Sequence, residues 1–104
     1  MGLWVRVALE REVPPGTGRT VLARDRRVAL FNDRGAFFAI DDACPHRGAS
    51  LGEGLLVEGV VICPWHAWVF EVRTGRCVKA PDVAVPSYPV RCREDEVEVE
   101  LPEE

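Results

Sequence analysis

The chain has 104 residues, of which 47% are hydrophobic, and this composition is that of one globular domain with a modest core. Its formal net charge is -4, and it lacks the Lys and Arg runs of a nucleic-acid surface, so we expect no nucleic-acid partner. No apolar stretch approaches the roughly 20 residues that cross a bilayer, and the charged start is not a secretory signal. We therefore expect no membrane association and a cytoplasmic location.

The first half of the chain is predicted to form strands and tight turns. Residues 4–8 alternate in polarity and predict a first strand, which ends where Pro14 and Pro15 cannot continue a hydrogen-bonded ladder. Turns are then expected at 25–26 and 33–35. These turns separate three further predicted strands, at residues 19–24, 27–33 and 36–40.

The second half continues the same pattern. A glycine-containing loop over 44–54 precedes a short hairpin that turns at Glu58 and Gly59. No segment has the pattern of a helix. The predicted strands are 55–57, 60–62, 67–72, 76–78, 88–93 and 96–101, with a proline-containing loop at 80–86. Many short strands at regular spacing predict an all-β sandwich or small barrel, with residues 43–67 inserted as a hairpin subdomain.

Two cysteine–histidine pairs are the most informative feature. Cys44 and His46 flank Pro45, and Cys63 and His66 flank a Pro–Trp pair, which gives the pattern C-x-H-x16-C-x-x-H. They contain the only two histidines of the chain and two of its four cysteines. Two thiolates and two imidazoles fit a [2Fe-2S] cluster with both cysteines on one iron and both histidines on the other. Such a ligand set, at one cluster per chain, predicts an electron carrier.

A structural zinc site is the alternative for the same four residues, because two cysteines and two histidines can complete a tetrahedron. Zinc fingers usually place two cysteines together and two histidines together. In this chain each half mixes one of each, with unequal gaps, and this arrangement favours iron and sulfide.

The residues around the ligands suit two tight loops. Pro45 and Pro64 restrict the backbone beside each cysteine and so reduce the entropy lost when the loop becomes ordered. Gly48, Gly52 and Gly54 permit a tight path and a close approach of backbone N–H groups to the sulfides.

With these motifs the chain resembles the Rieske-type ferredoxin family, over nearly its whole length. Further family-like stretches are residues 38–43, 47–51, 53–54, 69–71, 73–75 and 87–90. The resemblance implies a β-sandwich base, formed by residues 1–42 and 68–104, with a cluster-binding subdomain at 43–67. It also implies that the edges of His46 and His66 are the electron exit. The chain is similar as well to the small subunit of NAD(P)H-dependent nitrite reductases.

Several features set this chain apart from members of that family. Ala67 replaces a common glycine after the second histidine. High-potential members have an extra cysteine in each ligand loop, and a serine where Trp68 stands. Neither feature is found here, and we expect no N-terminal membrane anchor, so the resemblance implies the low-potential type. Trp65 and Trp68 flank His66 and are expected either to shield the cluster or to pack in the core.

The sequence therefore predicts a protein that carries one electron at a time from an NAD(P)H-dependent reductase to a terminal oxygenase. The alternative is a subunit that stays bound to a nitrite reductase large subunit. No nucleophile, general base or substrate pocket can be assigned, so the chain is not expected to be an enzyme by itself. Cys77 and Cys92 are expected to be small buried hydrophobic residues of the base, with a disulfide between strands as the alternative.

Overall fold

The computed structural model describes residues 2–45, 48–64, 68–80 and 82–102. Within these residues the chain forms ten strands and two short 3₁₀ turns, Glu10–Glu12 and Leu51–Glu53, and no α-helix. The described part also contains no helix that is long and apolar enough to span a membrane. The strands are β1 (Gly2–Leu9), β2 (Thr17–Ala23), β3 (Arg26–Asp33), β4 (Ala36–Asp41), β5 (Leu55–Val57), β6 (Val60–Ile62), β7 (Val69–Glu71), β8 (Ser87–Tyr88), β9 (Val90–Arg93) and β10 (Glu96–Pro102).

The strands form three antiparallel sheets. Their strand orders are β1-β10-β9, β2-β3-β4-β8 and β5-β6-β7. Every pair of neighbouring strands in these sheets is antiparallel. The predicted all-β class is therefore confirmed.

Two hydrophobic cores lie on opposite faces of the central sheet. The base core, shared with the first sheet, consists of Ala8, Val13, Val21, Ala23, Val28, Leu30, Ala39, Tyr88, Val97, Val99 and Leu101. The loop core, shared with the third sheet, consists of Ala29, Phe31, Ile40, Cys44, Ala49, Leu51, Val61, Cys63, Phe70, Val72, Cys77 and Val85.

Strand β3 separates the two cores. Val28 and Leu30 point into the base core, while Ala29 and Phe31 belong to the loop core, and all four side chains are fully buried. This division follows from the period of two in a strand, which sends successive side chains to opposite faces. Because both faces of β3 are covered at its centre, residues 28–31 are continuously apolar instead of alternating.

Three strand predictions need correction. The first turn lies at Arg24 and Asp25, one residue earlier than predicted, because Ala23 pairs with Arg26. Residues 76–78 form only isolated bridges, since the N–H of Cys77 bonds to residue 83 and the N–H of residue 78 bonds to residue 69. The strand predicted over 88–93 is divided at Pro89 into β8 and β9, which belong to different sheets.

The third sheet extends past residue 67, where the inserted subdomain was predicted to end. Strand β7 pairs with β6 through Ile62 and Val69, so residues assigned to the base continue the sheet that carries the second cysteine loop. The exact division of the domain stays a prediction, but this pairing argues for a later boundary.

Candidate metal centre

Cys44 and Cys63, two of the four predicted ligands, lie in the same core. Each is 2% exposed, and both pack in the loop core beneath the ends of β4 and β6. Two thiols from segments 19 residues apart in sequence thus face one buried region. His46 and His66 lie outside the described residues, so their part in ligation stays a prediction.

The two cysteines begin loops of equal length. The backbone N–H of Cys44 donates to the carbonyl of Ala49 at 2.9 Å, and the N–H of Cys63 donates to the carbonyl of Trp68 at 2.7 Å. In both loops the bond joins residues five apart, and proline follows the cysteine. The two loops therefore present their thiols in equivalent local settings.

The support beneath the two loops differs. The second loop stands on a ladder in which β6 and β7 are paired at three positions, ending with Ile62 and Val69. The first loop stands on a single isolated bridge between Ala43 and Ser50. Additional contacts are therefore needed to hold the first loop.

Glycine is required at three points of this region. Gly48 has φ +72°, a conformation that side chains disfavour, and its N–H donates to the carbonyl of Cys44 at 2.7 Å. A Cβ atom at Gly52 would collide with the backbone of Thr20, and one at Gly54 would collide with the carbonyl oxygen of Ile62. The tight path predicted for all three residues is confirmed, whereas hydrogen bonds from the N–H groups to sulfide stay a prediction.

The buried carboxylate of Asp42 lies directly before the first loop. Its Oδ1 atom lies 2.9 Å from Thr20 Oγ1, 3.0 Å from Ser50 Oγ and 2.8 Å from the backbone nitrogen of Gly52. Its Oδ2 atom lies 3.5 Å from a guanidinium nitrogen of Arg27. The sequence does not indicate these contacts, because only the register of β2 against the loop brings Thr20 to Asp42.

A small acidic crevice borders the same loop. Its volume is about 340 Å³, and it is lined by three carboxylate side chains and one guanidinium, together with Ala43 and Gly48; the charged residues are Asp25, Asp41, Asp42 and Arg27. Since acids outnumber bases here, this side of the first loop favours basic groups on any molecule that approaches it.

Trp68 packs against the loop core and is partly buried. Its ring centroid lies 6.4 Å from that of Phe70 at an interplanar angle of 36°. Trp68 therefore covers part of the core that contains both cysteines. This position agrees with both predicted roles of Trp68, shielding of the cluster and packing in the core. Trp65 and Ala67 lie outside the described residues.

The two spare cysteines have different environments. Cys77 is 1% exposed and belongs to the loop core, so its predicted burial is confirmed, although not its place in the base. Cys92 is exposed on β9, and its predicted burial was wrong. No disulfide joins them, since both are free thiols.

A family model and individual relatives indicate the same family for this chain. The Rieske [2Fe-2S] domain matches residues 3–89. The biphenyl dioxygenase ferredoxin subunit of Pseudomonas sp. (strain KKS102) is 44% identical over 93 residues, which cover 86% of this chain and 84% of that protein. The chain also matches a much longer protein, the chloroplastic protein TIC 55 of Arabidopsis thaliana, at 37% identity over 81 residues, but spans only 15% of its length.

Two solved structures share the fold over almost the whole chain. One is described as an NADH-dependent nitrite reductase small subunit from Mycobacterium tuberculosis, with a TM-score of 0.90, 29% identity, and coverage of 99% of this chain and 98% of that one. The other is the ferredoxin in a complex of reduced oxygenase and oxidized ferredoxin in carbazole 1,9a-dioxygenase, with a TM-score of 0.85 and 33% identity. It covers 96% of this chain and 94% of that one.

Proposed function

Since this chain belongs to the Rieske [2Fe-2S] domain family and carries one [2Fe-2S] cluster, we propose that it passes single electrons from an NAD(P)H-dependent reductase to a terminal oxygenase. The observation that carries the proposal is the pair of buried thiols, Cys44 and Cys63, at the start of two equivalent loops. The ferredoxin subunits among its relatives support the choice of an oxygenase as electron acceptor.

The proposed ligands are Cys44 and Cys63 on one iron and His46 and His66 on the other. The two cysteines fit this assignment, because a buried thiolate is costly unless a positive charge compensates it, and ferric iron supplies that charge. The histidines hold different sequence positions in the two loops, because His46 comes two residues after Cys44 whereas His66 comes three residues after Cys63. When bound, the cluster supplies one-electron exchange.

The part of the protein in this exchange is to hold the ligands rigid and to limit the access of water. The loop core surrounds both cysteines on the side of the central sheet, and Trp68 covers part of it. Electron exchange requires the opposite side to be open, and we assign the exit to the edges of His46 and His66.

We propose that the chain is a carrier and no enzyme by itself. With Cys44, Cys63, His46 and His66 as its four protein ligands, the cluster would have no open position for a substrate and would supply one-electron exchange only. Its relatives named as ferredoxin subunits support this assignment. A cytoplasmic location is part of the proposal, because an NAD(P)H-dependent donor draws on the cytoplasmic pool of that cofactor.

A second candidate function is that of the small subunit of an NAD(P)H-dependent nitrite reductase, bound to a large subunit. The TM-score of 0.90 to a chain described in those words favours it. The two functions differ in how long the protein stays bound to its redox partner. A carrier must dissociate from the reductase before it binds the oxygenase, whereas a subunit stays bound to the large subunit.

A reconstituted electron-transfer assay tests the proposal. The protein is mixed with NADH, a ferredoxin reductase and the oxygenase component of biphenyl dioxygenase, and product formation is measured against protein concentration. We expect turnover that depends on the protein and is abolished in Cys44→Ser and Cys63→Ser. Failure of the cluster-loaded protein to accept electrons from the reductase, or to reduce the oxygenase in a single-turnover experiment, would contradict the proposal.

A further inference from the structure

Asp42 has an unusual position for a carboxylate. It is 2% exposed, and one of its oxygens, Oδ1, accepts from the backbone N–H of Gly52 at 2.8 Å. The hydroxyl oxygens of Thr20 and Ser50 lie 2.9 and 3.0 Å from the same oxygen and 2.8 Å from each other. A buried carboxylate with this many partners is held in one position and holds its partners in turn.

The partners of Asp42 lie on both sides of the first cysteine loop. Asp42 comes two residues before Cys44, whereas Ser50 and Gly52 follow the loop, and Thr20 belongs to β2 of the central sheet. A backbone bond from the N–H of Leu51 to the carbonyl of Asp42, at 2.7 Å, closes the same connection. Asp42 therefore ties the two ends of the loop to each other and both ends to the sheet.

These contacts supply what the β-ladder supplies to the second loop. The loop that begins at Cys63 stands on three paired positions of β6 and β7, while the loop that begins at Cys44 stands on one bridge. A cluster between two loops requires both thiolates to keep their positions, so the first loop needs an equivalent support.

We propose that Asp42 is a positioning residue of the metal centre, whose carboxylate replaces a β-ladder beneath the first loop and thereby fixes the Cys44 thiolate. This inference rests on the proposed ligand set, because Cys44 must be a ligand for its position to matter. Asp42 acts through Thr20, Ser50 and Gly52 and does not touch the iron.

The charge of Asp42 is compensated from the solvent side. Arg27 Nη2 lies 3.5 Å from Oδ2, and the side chain of Arg27 is 64% exposed whereas that of Asp42 is 3% exposed. Oδ1 is thus left to the loop and to β2, while Oδ2 carries the ion pair. An asparagine at this position retains the acceptor at Oδ1 but loses the ion pair, and an alanine loses both.

Release of iron to a chelator measures how firmly the loop is held. The fully loaded Asp42→Ala protein is expected to lose its visible absorption about tenfold faster than the wild type, since two or more hydrogen bonds of the loop are removed. Asp42→Asn is expected to restore most of the retention time, because its amide oxygen can occupy the place of Oδ1. Thr20→Val removes the hydroxyl that bonds to Asp42 but keeps the size of the residue 20 side chain and the charge of Asp42. It should give an intermediate rate of iron release.

A spectroscopic measurement separates positioning from general stability. In Asp42→Ala the loop can adopt several positions, so we expect the EPR lines of the reduced cluster to broaden in frozen solution, where unfolding plays no part. Asp41→Asn is the matched control: it removes one negative charge from the adjacent residue, whose carboxylate contacts Tyr88 instead of the loop. Its iron release and EPR linewidths should equal those of the wild type.

The result that overturns the inference is a wild-type rate of iron release together with wild-type EPR linewidths in Asp42→Ala. If Asp42→Ala does not fold, the same two measurements on Thr20→Val decide the question. A wild-type protein that binds no iron–sulfur cluster would instead overturn the proposed function, so the two failures are distinct.

Discussion

The hydroxyl of Tyr88 donates a hydrogen bond to the carboxylate of Asp41 at 3.2 Å, across the pairing of β8 with β4. Arg26 donates to the same hydroxyl at 3.1 Å, and its guanidinium carbon lies 5.8 Å from the centroid of the Tyr88 ring. This contact lies one residue before Asp42 and connects the strand that leads to the first loop with the strand that crosses between the two sheets of the base.

The titration of Tyr88 tests this contact. The pKa of Tyr88 lies above its usual value of 10.0. Burial is the largest cause of this increase and the charge of Asp41 adds to it, while the hydrogen bond from Arg26 opposes it. Because this is the only tyrosine in the chain, its ultraviolet titration is unambiguous. We expect Asp41→Asn to lower the pKa and Arg26→Met to raise it, and shifts in the opposite directions would contradict the contact.

The same shift predicts how stability depends on pH. The folded state holds the phenol proton more tightly than the unfolded state, so this contribution is complete below about pH 10 and is lost as the pH rises through the higher folded pKa. In urea unfolding, the wild type should lose more stability than Tyr88→Phe in this alkaline range. Equal losses in both proteins would show that Tyr88 has the same pKa in both states.

The reduction potential is expected near the low end for this class of cluster, about -150 mV rather than about +300 mV. The indole of Trp68 supplies no hydroxyl to stabilise the added electron, and the carbonyl of Trp68 accepts the hydrogen bond that closes the second loop. Protein-film voltammetry measures the potential directly. Trp68→Ser should raise it, and Trp68→Phe, which also has no hydroxyl, is the control that should leave it low. A clearly positive potential in the wild type at neutral pH would contradict this argument.

Substitution of one buried valine in each core tests whether the loop core has a separate effect on the retention of iron. Val61 in the loop core and Val97 in the base core are both fully buried, so Val61→Ala and Val97→Ala should each lower the free energy of unfolding by about 2 kcal/mol. Only Val61→Ala should also speed the release of iron, because Val61 shares a core with Cys44 and Cys63. Equal release from both variants would show that retention follows overall stability alone.

The reactivity of Cys92 provides a check on the environment of β9. Its thiol is exposed, but partial burial and the nearby carboxylate of Glu10 raise its pKa above the usual value of 9.0. Alkylation by iodoacetamide should therefore be slow at neutral pH and rise at alkaline pH, and Glu10→Gln should shift the rate profile to lower pH. A profile that does not move in Glu10→Gln would show that Glu10 does not act on this thiol.

The features that the sequence predicted correctly are those fixed by neighbouring residues. The strands alternate or are continuously apolar, and the hairpin turn at Glu58 and Gly59 lies between β5 and β6 as predicted. Cys44 and Cys63 are buried in one core, which agrees with the two short loops that their spacing to proline and histidine predicts, whereas their binding of a metal stays a prediction. The missing N–H of Pro89 was also a local signal, and it could have predicted the crossing between sheets.

The features that the sequence did not predict depend on contacts between distant segments. Thr20 and Asp42 are 22 residues apart, and nothing in either neighbourhood indicates that they meet. Cys77 and Cys92 have similar apolar and polar neighbours, yet the first is buried in the loop core and the second is exposed, because their positions depend on how the sheets pack.

The most direct test of the central claim is a pulsed EPR measurement on the dithionite-reduced protein, combined with iron and acid-labile sulfide analysis. We expect two irons and two sulfides per chain, and a rhombic signal with a low average g-value. We also expect coupling to two directly bound nitrogens, one of which is lost in His46→Cys and the other in His66→Cys. Stoichiometric zinc without sulfide, or an intact cluster with no nitrogen coupling, would contradict the proposed cluster and its ligands.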